Sequence, residues 1–188
     1  KRGVTVKCIG VLGGGVRLGT NAGRVAAKAC ILAVPARMME RQRIAIKPGL
    51  PATLHQAFAE VTMGYGEKVA LAFDRKVFDG FEIPFADVFD PVVPETKPLN
   101  FELHPFGRPI AVAHVGGSFA RELAQAGPAV MTAFAIDTLV KAFGADIRQR
   151  IVASATTGWT MDAHIGGAYS GAAPGKAGSR KIFSEPVH

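Results

Sequence analysis

The chain has 188 residues and a mass of 19.7 kDa, 48% of them hydrophobic, enough for one generous domain or one and a half small ones. Its net charge of +7 and pI near 9.7 invite a nucleic-acid reading. The 22 Lys and Arg are scattered among acids, however, with no basic stripe beside stacking aromatics, so a solvated basic surface is the better account. No window approaches the roughly 18 uncharged apolar residues of a membrane-spanning helix, and the chain reads as soluble, with neither nucleic acid nor membrane as a partner.

Val4 to Val11 and Val16 to Thr20 are expected to be strands around Gly13-Gly-Gly15, a cluster suited to a tight hairpin. That cluster lacks Gly-x-Gly-x-x-Gly spacing and runs into a strand, so it reads as a turn and not as a phosphate loop. A second turn at Asn21-Ala-Gly23 leads into Arg24 to Val34, whose run Ala29 to Val34 resembles a strand buried on both faces before Pro35 ends it. Cys8 and Cys30 sit in these apolar contexts without Cys-x-x-Cys spacing. They are expected to be small buried hydrophobes, not a metal pair or a disulfide, and a reducing cytoplasmic setting fits them. Lys1 is followed by no signal-peptide segment, so the start is expected to be a cut or processed boundary.

A new subdomain is expected to begin near Ile44, with a short strand to Ile46 and a helix from Ala52 to Val61 opened by Pro51. Val69, Leu71 and Phe73 alternate with smaller residues, which predicts a half-buried strand with Lys68 on the opposite face. Residues 79 to 99 are proline-rich and read as an irregular surface excursion. Strands are expected around Asn100 to His104 and Ile110 to Val115. A helix follows from Ser118, taken as its N-cap, to Gln125, and a second from Gly127-Pro128 to Phe143 with Gly144 beyond it. In that second helix Met131, Phe134, Ala135, Leu139 and Ala142 form one apolar stripe. A strand from Ile151 to Thr156, the stretch Trp159 to Ser170 and a Gly/Ala/Ser loop to Ser179 close the sequence.

Other chemistry is thin. His55, His104, His114, His164 and His188 have no metal-ligand spacing, so no metal site is expected. Ser118 is not in a Gly-x-Ser-x-Gly context. Asp162 and His164 lie near the Trp159 segment and are candidates for lining a substrate path.

The order of several motifs carries more than any of them alone. Val6-Lys-Cys-Ile9, then Gly23, Ala27 and Ile31-Leu-Ala-Val-Pro35, then Leu50-Pro51, then Gly64-Tyr-Gly-Glu-Lys68-Val, and finally Trp159 with Gly166-Gly-Ala-Tyr-Ser170 resemble the flavin-dependent amine oxidase family along nearly the whole chain. Residues 75 to 115 are the least diagnostic. Read singly, Val6 is equally a core strand valine, Lys68 a solvated strand end and Trp159 a core residue.

The resemblance implies an α+β fold: a mixed β-sheet flanked by helices, with remnant strands of a Rossmann-like FAD-binding domain. It implies FAD-domain strands at residues 1–35, a substrate-binding domain at 36–165 and a return toward the FAD domain at 166–188. Lys68 would hold water at flavin N5 and Tyr169 would be one wall of an aromatic cage. Val6 would lie against the adenine end of FAD, with Trp159, Gly167 and Ala168 beside the cofactor. A dry aromatic slot favours a neutral amine by desolvation.

The implied reaction takes a hydride from the carbon next to an amine nitrogen to FAD, giving an imine and, with dioxygen, hydrogen peroxide. Ala168 stands where covalent flavoenzymes of the family have cysteine, so FAD would be bound non-covalently. The family's Gly-x-Gly-x-x-Gly turn and its Phe-Ala-Gly-Glu segment are not in this sequence. The chain is therefore expected to be part of a larger enzyme, inactive alone and partnered by the remaining FAD-domain segments and a small amine. A desaturase, an amino-acid or porphyrinogen oxidase, or a non-catalytic interaction domain on the same scaffold is the alternative. The particular amine and any homo-oligomer formation are not legible.

Overall fold

The computed structural model describes residues 2–81, 88–91, 94–95 and 97–187, which divide into two compact units. The first comprises residues 1–63, 163–166 and 170–188, the second residues 64–162 and 167–169. The proline-rich excursion expected at 79–99 falls partly outside the described residues.

The first unit opens with strands β1 (Val6–Leu12), β2 (Gly15–Thr20) and β3 (Gly23–Ala27). They form an antiparallel meander, its first turn at Gly13 and Gly14 as the glycine cluster predicts. The second turn is held by Asn21, whose Oδ1 accepts the Thr5 N–H at 2.9 Å. Helix α1 (Ala36–Glu40) leads to β4 (Ala45–Lys47), which pairs parallel to β1, so the sheet order is β3-β2-β1-β4. Helix α2 (Ala52–Glu60) begins after Pro51, and β5 (Val61–Met63) follows. Met38, Met39, Leu54, Ala57, Val61 and Met63 are buried here.

Two expectations are corrected in this unit. Residues 29–34 are not a strand and are exposed, Ile31 to 92%, because no neighbouring strand in the first unit pairs with them. Cys8 and Cys30 are likewise exposed free thiols and not buried hydrophobes.

The second unit is built on β6 (Gly66–Phe73), β7 (Val88–Phe89), β8 (Leu99–Leu103), β9 (Ile110–Gly116) and β10 (Ile151–Thr156), in sheet order β10-β6-β9-β8-β7. The helices are α3 (Gly117–Ala126), α4 (Pro128–Phe143) and α5 (Asp146–Gln149). Alternation does what it should: Val69, Leu71, Phe73, Phe101, Leu103, Ala111 and Ala113 are each 3% exposed or less and meet Phe119, Leu123, Met131, Ala135 and Leu139 of the helices. Proline at the first position of α4 and Gly144 at φ 97° beyond its end set the limits of that helix.

Helix α3 starts earlier than expected. β9 runs directly into it at Gly116, which is the N-cap, and Ser118 falls inside the first turn and caps nothing. Ala142 is exposed and falls outside the apolar stripe of α4, which continues from Leu139 to the half-buried Phe143.

The chain then returns to the first unit with β11 (Ser170–Ala172), antiparallel to β5, and a 3-10 segment over Ala177–Ser184. Glu60 of α2 anchors that segment, accepting from Ser179 Oγ and from Lys176 Nζ at 2.9 Å. These donors and Gln56 hold the Glu60 carboxyl down to about 2. The fold class is α+β as expected, with a mixed sheet in the first unit, an antiparallel one in the second, and helices. Among the described residues no helix is long and apolar enough to cross a membrane.

Candidate functional site

Antiparallel pairing puts directly opposed residues on the same face of a sheet. Lys68 of β6 is opposed by His114 of β9, and His114 by Asn100 of β8. These three therefore share the face turned away from the helices. Ala70, Ala72 and Val112 floor the same face with small or half-buried side chains. Lys68 and His114 are themselves half-buried.

His114 Nε2 stands 3.9 Å from Glu102 Oε2. Burial and then the nearby Lys68 charge push the His114 imidazole below its usual 6.5, with Glu102 opposing. An open groove of about 570 Å³ borders His114 and Asn100, with Asp90, Glu95, Pro98 and Gly116 among its walls.

At the start of β6 the period-two alternation turns Glu67 toward the core side, and it is 1% exposed. A buried carboxylate is costly unless its oxygens are satisfied. Here the turn after β10 satisfies them. Glu67 Oε2 accepts from the Thr157 hydroxyl and from the Trp159 N–H at 3.3 Å, and Oε1 accepts from the Thr160 N–H at 2.8 Å.

The Thr157 hydroxyl also accepts the Lys68 N–H at 2.8 Å, and the Thr157 N–H donates to the Lys68 carbonyl at 3.0 Å. A backbone N–H can only donate, so the hydroxyl proton is committed to the carboxylate.

The same turn and Gly64, just ahead of β6, hold the segment that ends at Tyr169. The Gly167 N–H donates to the Trp159 carbonyl at 3.1 Å, the Ala168 N–H to the Gly64 carbonyl at 2.9 Å, and the Gly64 N–H to the Tyr169 carbonyl at 2.7 Å. A Cβ added at Gly66 would stand 3.2 Å from Ala168 Cβ, so a glycine there admits the close approach of the two strands of chain.

The network thus brings together Lys68, Trp159, Gly167, Ala168 and Tyr169. Trp159 is half-buried, Gly167 buried and Tyr169 70% exposed. Thr160 Oγ1, shielded from solvent, has no hydrogen-bond partner among the described residues.

Val6 belongs to the first unit, half-buried at the start of β1 opposite Thr20. Asp162 lies in the second unit, where its N–H donates to the Gly158 carbonyl at 3.0 Å, and His164 lies in the first. Among the described residues no cluster of three or more His, Cys, Asp or Glu could hold a metal ion.

Glu67, Thr157 and His114 are absent from the sequence reading as site residues. The signal for the first was available: Glu67 has the parity of Val69, Leu71 and Phe73, so the alternation that exposes Lys68 also buries Glu67.

Residues 2–183 match the sequence profile of the family described as flavin containing amine oxidoreductase. The chain is 29% identical over 181 residues to lysine-specific histone demethylase 1 homolog 3 of Arabidopsis thaliana, covering 92% of this chain and 11% of that protein.

Among solved structures, cyclohexylamine oxidase from Brevibacterium oxydans IH-35A superposes with a TM-score of 0.75 at 21% identity, over 97% of this chain and 40% of that one. A putrescine oxidase variant redesigned in its cofactor binding superposes with a TM-score of 0.71 at 20% identity, over 96% of this chain and 39% of that one. At these identities the structural likeness speaks for the fold. The chain spans well under half the length of each relative.

Proposed function

Since the chain belongs to the flavin containing amine oxidoreductases, whose cofactor is FAD, we propose that its second unit supplies flavin-facing residues for oxidation of an amine to an imine. The observation that carries this reading is the hydrogen-bond network that gathers Lys68, Trp159 and the Gly167–Tyr169 segment at one end of β6.

The residues present fit the ring end of a flavin. Tyr169 is 70% exposed and Trp159 half-buried, so aromatic surface is available to a planar ring. Thr160 Oγ1, next in the chain to Trp159, is a buried hydroxyl with no partner among the described residues. Ala168 offers no thiol for attachment, which makes binding non-covalent.

When bound, the flavin supplies the two-electron acceptor that amine oxidation needs and returns those electrons to dioxygen, releasing hydrogen peroxide. The chain's own residues bind and orient. Lys68 Nζ, with three donors, holds water near the reacting centre. The aromatic faces of Tyr169 and Trp159 exclude water and align the amine, whose neutral form is the reactive one because its lone pair becomes the second C–N bond as the hydride leaves carbon. Val6 is assigned to the adenine side. The names of the similar proteins, a cyclohexylamine oxidase, a putrescine oxidase and a lysine-specific histone demethylase homolog, agree in an amine and in nothing narrower.

The test is the visible spectrum of the FAD-loaded, full-length protein under anaerobic addition of monoamines, polyamines and amino acids. One group is expected to bleach the yellow colour. Lys68→Met is expected to slow flavin reduction or reoxidation by ~10-fold or more while leaving amine affinity near its starting value. Colour that survives all three groups of amines sinks the reading.

A further inference from the structure

Glu67 touches both halves of the candidate site. Its two oxygens take the hydroxyl of Thr157 and the N–H groups of Trp159 and Thr160, while its own backbone precedes Lys68 directly. The turn from Thr157 to Thr160 leaves the edge strand β10 and has no regular ladder of its own beyond Thr156. What aims its backbone N–H groups inward is an acceptor, and the acceptor is a buried carboxylate on the neighbouring strand.

Two further contacts carry this constraint outward. Thr157 Oγ1 fixes the Lys68 amide at 2.8 Å, and the Trp159 carbonyl, in the same planar peptide unit as the Thr160 N–H that Glu67 accepts, receives the Gly167 N–H at 3.1 Å. We infer that Glu67 is a positioning residue that sets where Trp159 and the Gly167–Tyr169 segment stand relative to Lys68.

The catalytic consequence rests on the amine oxidase reading; the positioning itself does not. Glu67 faces the core side while Lys68 faces the open side, so Glu67 acts through its neighbours and not on an amine. Charge-assisted acceptors of this kind are among the stronger hydrogen bonds, and a removed acceptor leaves buried donors unsatisfied.

Trp159 is the single tryptophan of the chain, so its emission reports the turn with no flavin present. Glu67→Ala is expected to move that emission to longer wavelength and to raise its quenching by acrylamide. It is also expected to speed hydrogen exchange at the Trp159 and Thr160 amides by ~10-fold or more. Exchange at Val69 and Ala113, in the β6–β9 ladder, stays as it was. Glu67→Gln keeps the volume and one carbonyl acceptor, folds with less disturbance, and falls between the two.

In the flavin-loaded protein Glu67→Gln lowers kcat by ~10-fold with KM little changed, as expected when geometry and not binding is lost. Unchanged emission and exchange at 159 and 160 in either folded variant overturns the inference. So does loss of protection throughout the β6–β9 ladder in step with the turn, which would make Glu67 a general stabiliser. The fluorescence and exchange readouts need no amine or flavin, so they decide this inference even where the oxidase reading fails.

Discussion

His114 and Lys68 stand opposite one another on β9 and β6, and the consequences of that pairing are electrostatic. The groups facing His114 are Lys68 on one side and Glu102 on the other, with the uncharged Asn100 opposite on β8. Burial and the lysine together depress the imidazole below 6.5 in the folded chain. The sign follows from linkage: between the folded value and 6.5 the unfolded chain binds a proton that the folded chain does not, so stability rises with pH across that window.

Lowering the pH from above 6.5 through the folded value is therefore expected to destabilise the second unit, with no further loss from this group below it. Urea midpoints measured against pH should show that slope, and His114→Asn should flatten it. An identical slope in the variant would remove His114 as its source. Lys68 and Tyr169 entered the candidate site from the sequence because they stand in a recognisable order of motifs. Glu67 was readable only by parity, and His114 not at all, because its meaning comes from a partner strand more than forty residues from Lys68.

Elements followed from local sequence where the deciding forces are local. The strand alternation of β6, the Pro51 start of α2 and the Gly127-Pro128 and Gly144 limits of α4 all needed nothing distant. Two local readings failed for reasons outside the segment. Ser118 has the right side chain for an N-cap, but β9 hands over to α3 at Gly116 and leaves no extended residue at 118 to do the capping. The run 29–34 is apolar enough to be buried, yet burial belongs to a pair of surfaces, and among the described residues of the first unit none covers it.

The stripe of α4 gives a quantitative check at this scale. Leu139 is fully buried between helix and sheet, whereas Ala142 is exposed one turn on. Leu139→Ala should cost about 2–5 kcal/mol by chemical denaturation, and Ala142→Gln should stay within about 0.5 kcal/mol. A comparable cost at both positions would mean the stripe extends as the sequence pattern alone suggests.

At the scale of the molecule, long-range pairing decides membership. Residues 36–63 group with the first unit because β4 pairs with β1 and β5 with β11, contacts that no composition change near Pro35 or Ile44 reveals. Which unit serves cofactor and which substrate stays part of the proposal.

Tight binding of a dinucleotide depends heavily on placing its pyrophosphate at a helix N-terminus behind a glycine turn. The glycine-rich turn here, Gly13 and Gly14, joins two antiparallel strands and directs no helix at a ligand. On the proposed reading the chain offers ring-side contacts through Lys68, Trp159 and Tyr169, and stacking of that kind is worth far less than a charge-satisfying phosphate site. The purified 188-residue chain, incubated with excess FAD and passed through gel filtration, should emerge without visible flavin absorbance. Stoichiometric retained flavin would mean that the ring-side residues hold the cofactor unaided, and would move the main source of FAD affinity from the pyrophosphate to the network around Glu67.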